Sequence, residues 1–284
     1  MSQPSFKFSM VTVCGIMLSG AVMGGTWMQR LDPLSFFQVN ASTLQPDNVD
    51  VPVNPGSGKR YQLTYEEWVA LLAREAKVAA AQQPDRLTIL AGDSLSLWFP
   101  PEMLPSGFTW LNQGISGETS AGLLQRLKLF DATQPETILV LIGINDLIRG
   151  VRRETLLANH QEIVRHLKTA HPKARIVVQS ILPHGSSQTV EQLTPPGRAL
   201  PPWAERLAAV SNASIRELNR QLATMAEAEK VTFLDLHPYF TDERGDLQMQ
   251  LTTDGLHLNS LGYAVWRSQL EQLRNLPRVA TTRG

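Results

Sequence analysis

Five short apolar runs, at 87–91, 108–111, 137–142, 175–182 and 231–236, alternate along this chain with stretches of helical periodicity. That alternation is the strongest constraint on the fold. A run that is apolar at nearly every position must be covered on both faces, and strands joined through helices pair in parallel. The expectation is an α/β domain with a parallel sheet between two helical layers. Thr64 and Glu67 have the spacing of a capping box, Trp68, Leu71, Leu72 and Ala76 give a helical face, and Pro84 stops it. Further helices are expected over 123–130, 154–170, 204–230 and 260–273. The segment 183–203 carries Pro183, Pro195, Pro196, Pro201 and Pro202 and reads as a loop, either a partial lid or an inert insertion.

The 284 residues suffice for one large domain or two small ones, and neither an internal repeat nor a heptad run is present. Lys and Arg (26) balance Asp and Glu (26), which speaks against a nucleic-acid partner. A single cysteine, Cys14, excludes an intramolecular disulfide. The N-terminus departs from this ordinary composition. The 22 residues from Phe8 to Gln29, FSMVTVCGIMLSGAVMGGTWMQ, carry no charge, and about 20 mostly apolar residues can span a bilayer as a helix. Lys7 ahead of them favours an N-in orientation. The expectation is an N-terminal hydrophobic helix over 1–30: a signal anchor holding the membrane through 8–29, or a signal peptide cut after Gly24 or Gly25. A Pro-, Asn-, Ser- and Gly-punctuated linker follows over 31–60, then one domain over 61–284. Either version exports or anchors that domain on the periplasmic, extracytoplasmic side of a bacterial cell. The Asn40-Ala41-Ser42 and Asn212-Ala213-Ser214 sequons read as chance.

In a parallel sheet, ligands bind at the carboxyl ends of the strands. Gly92-Asp93-Ser94 follows the first run, Asn112 to Thr119 (NQGISGET) the second, and Gly143-Ile144-Asn145-Asp146 the third. Asp254-Gly255-Leu256-His257 precedes the last helix. These residue types suit acyl transfer. A serine hydroxyl attacks only when a base takes its proton, and histidine is the usual base near neutral pH. A carboxylate on the far ring nitrogen sets the tautomer. Asp254 and His257, three apart, can form that pair in a tight turn, with Ser94 as nucleophile. The developing oxyanion needs fixed donors, and the N–H groups of Ser94 and Gly117 and the Asn145 amide could supply them.

From 87 to 273 the chain resembles the SGNH hydrolases of the GDSL esterase and lipase superfamily. The resemblance rests on Gly92-Asp93-Ser94-Leu95, on Asn112 through Thr119, on Gly143-Ile144-Asn145-Asp146, on Asp254-x-x-His257, and on the continuation HLNSLGYAVW. It implies a three-layer, flavodoxin-like α/β/α sandwich with a five-stranded parallel sheet of order 2-1-3-4-5. It implies Ser94, Asp254 and His257 as catalytic residues and Ser94, Gly117 and Asn145 as the oxyanion hole. No cofactor or metal is required. The implied activity is a serine esterase or acylhydrolase of lipase, lysophospholipase or carbohydrate-esterase type. It would cleave a small-molecule ester, a lipid or an acylated sugar through an acyl-enzyme. Two rivals stand beside it: an acyltransferase or deacetylase working on envelope polysaccharide, and an inactive anchored binding protein.

Each residue also has a plain structural role open to it. Ser94 could cap a helix. Gly117 and Asn145 could shape turns, and Asp254 with His257 could be an exposed ion pair. Asp93 and Asp146 read as acceptors that organise loops. Trp98, Phe99 and His184 are candidate substrate contacts, with Trp203 in the following loop, although Trp98 and Phe99 could equally fill the core. His160, His166 and His171, six and five apart, do not share one helical face and read as surface residues.

Overall fold

The computed structural model describes residues 63–272. The uncharged stretch 8–29 and the linker 31–60 lie outside the described residues. Among those described, no helix is long and apolar enough to cross a membrane. The strands are β1 (Leu87–Gly92), β2 (Thr109–Gly114), β3 (Thr137–Leu141), β4 (Arg175–Gln179) and β5 (Thr232–Leu234). The helices are α1 (Tyr65–Gln82), α2 (Ser94–Leu97), α3 (Ser120–Arg126), α4 (Ile144–Ile148), α5 (Arg153–Ala170), α6 (Ser187–Leu193), α7 (Pro202–Ala208), α8 (Asn212–Ala228), α9 (His237–Phe240) and α10 (Ser260–Gln272). The sheet is wholly parallel, in the order β2-β1-β3-β4-β5.

The register explains why the strands are apolar throughout. Ile89, Ile138 and Ile176 stand side by side across β1, β3 and β4, and the next row is Leu90, Leu139 and Val177. Successive residues of a strand face opposite sides. The first row packs with Ala76 and Ala79 of α1, Leu123 of α3, and Ile163, Val164 and Leu167 of α5. The second packs with Phe240 of α9 and Tyr263, Trp266 and Leu270 of α10. With a core on each face, the polar chemistry is confined to the sheet's edges and ends. The switch point lies there: β1 pairs with β2 on one side and β3 on the other, so the loops after these three strands meet.

Four expectations need correction. β2 runs on through Asn112 and Gln113, whose side chains donate to backbone carbonyls of α2 and α1. The helix expected over 204–230 is two, because the Ser211 hydroxyl accepts the Ser214 N–H at 3.1 Å and starts α8 afresh. The segment 183–203 is not all loop; it contains α6, capped by Ser186. His160 and His171 are buried rather than on the surface, and burial lowers the pKa of both below the usual histidine value. His160 shares the face of α5 that buries Ile163, Val164 and Leu167. Asn212, buried and bonded to the His184 carbonyl and to Asp246, offers no exposed sequon.

Candidate active site

The turn after β1 admits almost no side chain at Gly92. A Cβ there would lie 2.1 Å from the Leu141 carbonyl oxygen and 2.5 Å from Ser96 Oγ. Asp93, not Ser94, caps α2: its Oδ1 accepts the Leu95 N–H at 3.0 Å. That leaves the Ser94 hydroxyl free of a capping duty, and it points at His257 Nε2, 3.1 Å away. The one-turn helix is held from outside as well. Asn112 Nδ2 donates to the Ser96 carbonyl at 2.7 Å, and the Tyr263 hydroxyl donates to the Leu95 carbonyl at 3.0 Å.

The acid–base turn is built by its own side chains. Asp254 Oδ1 accepts the N–H groups of Leu256 (2.9 Å) and His257 (2.8 Å), folding the chain back on itself. Its Oδ2 is then 2.7 Å from His257 Nδ1. A carboxylate at Nδ1 keeps the proton there and leaves the lone pair of Nε2 toward Ser94. Burial alone would raise the Asp254 carboxyl; the imidazole and the two backbone N–H groups outweigh it and hold the carboxyl below its ordinary range. Ser94, Asn145, Asp254 and His257 are 5, 8, 8 and 4% exposed. Their mutual interactions are therefore little screened by water.

On the opposite side, Gly117 sits in the left-handed region at φ +72°, where a side chain would be strained. Its carbonyl accepts from Arg149 at 3.1 Å, away from its own N–H. Asn145, in the first turn of α4, donates one amide N–H to the Glu118 carbonyl at 3.1 Å. Asp146 beside it accepts from both the N–H (2.8 Å) and the hydroxyl (2.5 Å) of Ser120. The loops after β2 and β3 are thus pinned together. Beneath them lies a buried ion pair that the sequence did not reveal. Arg126 Nε donates to Glu118 Oε2 at 2.5 Å, and Nη2 donates to the carbonyls of Gln113 (2.8 Å) and Gly92 (3.3 Å). The Tyr65 hydroxyl of α1 donates to Glu118 Oε1 at 3.3 Å. The available sequence signal was a charged residue at 118 amid small and polar neighbours.

The three candidate substrate contacts part ways. Trp98 is half-buried, its ring centre 4.3 Å from that of His257. Phe99 is fully enclosed, 5.0 Å from both Tyr263 and Trp266, and belongs to the core rather than to a substrate site. His184 is likewise no free ligand. Its ring nitrogens face the Gly185 and Val210 carbonyls at 2.8 and 2.6 Å, and its backbone is clasped by Asn212. Among the described residues, His, Cys, Asp and Glu form no group of three suited to a metal ion. Leu95, Ile144, Ile181, Pro183 and Leu256, among others, line a small apolar cavity. Leu95, Ile144 and Leu256 are the chain neighbours of Ser94, Asn145 and His257.

Asp93 carries a pH consequence. Burial pushes its carboxyl up to about 7. The folded chain then keeps a proton that the unfolded chain has already lost, so the contribution of Asp93 to stability falls as pH rises from about 4 to about 7. Asp93→Asn keeps an acceptor for the Leu95 N–H and removes the titration. Its stability relative to wild type is expected to rise with pH across that window, read by urea unfolding at both ends. A flat difference would show that Asp93 titrates as an ordinary exposed carboxylate.

Comparisons with known proteins bear on the family and the fold. The sequence profile of the GDSL-like Lipase/Acylhydrolase family matches residues 91–265. The platelet-activating factor acetylhydrolase IB subunit alpha1 of Pongo abelii is 28% identical over 206 residues, covering 69% of this chain and 78% of that one. A GDSL-like lipase of Bacteroides thetaiotaomicron superposes with a TM-score of 0.54 at 21% identity, covering 73% of this chain and 100% of that one. The acetylxylan esterase Axe2 of Geobacillus stearothermophilus does so with a TM-score of 0.51 at 18% identity, covering 70% and 99%. The last two are likenesses of fold.

Proposed function

The chain belongs to the GDSL-like lipase/acylhydrolase family and is an acylhydrolase acting on ester bonds, and from that premise we propose that it cleaves esters of short acyl groups with Ser94 as nucleophile. The observation that carries this is the continuous line Ser94 Oγ, His257 Nε2, His257 Nδ1, Asp254 Oδ2, with separations of 3.1 and 2.7 Å across its two hydrogen bonds. Ser94 Oγ adds to the ester carbonyl carbon while its proton passes to His257 Nε2. The carbonyl oxygen, now negative, is met by the N–H groups of Ser94 and Gly117 and by the second N–H of the Asn145 amide. Collapse breaks the bond to the alcohol oxygen, which takes the proton from Nε2. Water then adds to the acyl-enzyme, losing its proton to Nε2, and the acid leaves as Ser94 recovers its own.

The short acyl group is argued from the crowding round the catalytic line. Leu95, Ile144 and Leu256, next in the chain to Ser94, Asn145 and His257, are all buried, and the rings of Trp98 and Trp203 stand 4.3 and 6.4 Å from that of His257, so the reacting atoms are crowded by apolar groups that leave little room for a long chain. The name of the Pongo abelii relative, an acetylhydrolase, favours the same size class. With p-nitrophenyl esters, kcat/KM for the acetate or butyrate is expected to exceed that for the octanoate by about tenfold or more, as a few misfitting methylenes would give. A preference for octanoate would overturn the short-acyl assignment. The proposal also places the domain outside the cytoplasmic membrane, because the uncharged stretch 8–29 suits export. Activity confined to the cytosolic fraction of the source cell would contradict that placement.

A further inference from the structure

The Pro-rich segment after β4, expected as a partial lid or an inert insertion, makes contacts of its own with the site. It is fastened directly to the acid–base turn. The Gly185 N–H donates to the Gly255 carbonyl at 2.7 Å. Val190 of α6 packs so close to Gly255 that a Cβ there would lie 2.7 Å from Val190 Cγ2. Past α6, Pro201 precedes α7 and Pro202 opens it, which fixes two backbone angles just ahead of Trp203. Trp203 is 4% exposed, and its ring stands 6.4 Å from that of His257, nearly perpendicular at 89°. It shares one contiguous apolar cluster with Ile144, Ile181 and Leu256, the first and last of which adjoin Asn145 and His257 in the chain. The largest side chain on this segment is therefore packed against the imidazole and among the apolar neighbours of Asn145 and His257.

We propose that Trp203 sets the acyl-chain specificity, its indole, edge-on to the His257 ring and packed with Ile144 and Leu256, filling the space that a chain longer than a few carbons would need. This rests on the esterase assignment above. The residue acts as a wall: it neither donates to the oxyanion nor moves a proton. The segment 183–208 is then a fixed bracket that holds the Asp254–His257 turn with one end and presents a size filter with the other. Shortening the indole opens space beside the His257 ring and leaves the hydrogen bonds from Ser94 through His257 to Asp254 in place.

The test measures kcat/KM for p-nitrophenyl acetate, hexanoate and octanoate in wild type, Trp203→Phe and Trp203→Ala. Rates are normalised to active sites titrated with a fluorophosphonate, and folding is checked by thermal melts. The octanoate-to-acetate ratio is expected to rise by about tenfold or more in Trp203→Ala, and by less in Trp203→Phe, as opened methylene-sized space would give. Trp203→Phe keeps an aromatic core and carries the test alone if the alanine variant does not fold. A ratio unchanged within about twofold, whether or not all rates fall together, overturns the specificity role and leaves only a packing role. If wild type hydrolyses no ester in the series and the probe does not label Ser94, the esterase assignment itself fails and takes this inference with it. A wild type that turns over acetate with an unmoved ratio sinks this inference alone.

Discussion

Ser94→Ala is expected to lower kcat/KM for p-nitrophenyl acetate by on the order of 10⁴- to 10⁶-fold, the range seen when a triad nucleophile is removed. The folded state is expected to change little. Asp93 supplies the cap of α2, so the substitution removes one side-chain hydrogen bond, that to His257 Nε2. Such a bond contributes about 0.5–1.5 kcal/mol net. Had Ser94 been the cap, the pattern would invert: a stability loss of about 1 kcal/mol with no catalytic consequence. The two measurements together, turnover per folded protein and a urea midpoint, therefore separate the two roles open to this serine. Retained wild-type turnover would remove Ser94 from the mechanism and favour an inactive or differently organised site. A small residual rate is expected, since the donors at Gly117 and Asn145 survive.

The layered sheet was legible because its strands are apolar on both faces, which leaves few alternatives to a covered parallel sheet. The site was legible for a related reason. Ser94, Gly117 and Asn145 each follow a strand within a few residues, and the switch-point rule brings those ends together. What escaped was held by contacts remote in sequence or hidden by periodicity. Asn112 and Gln113 look like loop residues until their partners on α2 and α1 are seen. The break between α7 and α8 interrupts an apolar period that continues across it, and only the Ser211 cap marks it. Phe99 and Trp98 are adjacent in the chain, yet one points into the core against Trp266 and the other lies against His257. Residue type alone does not separate those two fates. Tyr65 reaches Glu118 across 53 residues, a pairing that no local spacing rule records.

That remote pairing leads to the second large effect. Glu118 holds Asn145 through its backbone carbonyl and Arg126 through its carboxylate, so the charge pair is expected to fix the amide proposed for the oxyanion hole. Arg126 also ties the carbonyls of Gly92 and Gln113, the ends of β1 and β2. Arg126→Met leaves Glu118 buried without its counter-charge, and breaking a buried pair from one side costs about 3–5 kcal/mol. Glu118→Gln together with Arg126→Met removes both charges. The double variant is therefore expected to be more stable than Arg126→Met alone, a non-additivity on the order of 0.5–3 kcal/mol. Catalysis should not recover in step. With the amide of Asn145 no longer fixed, kcat per titrated active site is expected to fall by about 10²-fold in both variants while KM moves little, because the lost interaction is made in the transition state. A pair that merely fills space would give the stability pattern without the kcat loss. Arg126→Lys, which keeps the charge but not the fork that spans Glu118 and two carbonyls, is expected to fall between wild type and Arg126→Met in both measurements. If kcat per active site stays at the wild-type value in Arg126→Met, the ion pair has no part in holding the oxyanion loop, and Asn145 is positioned by α4 alone.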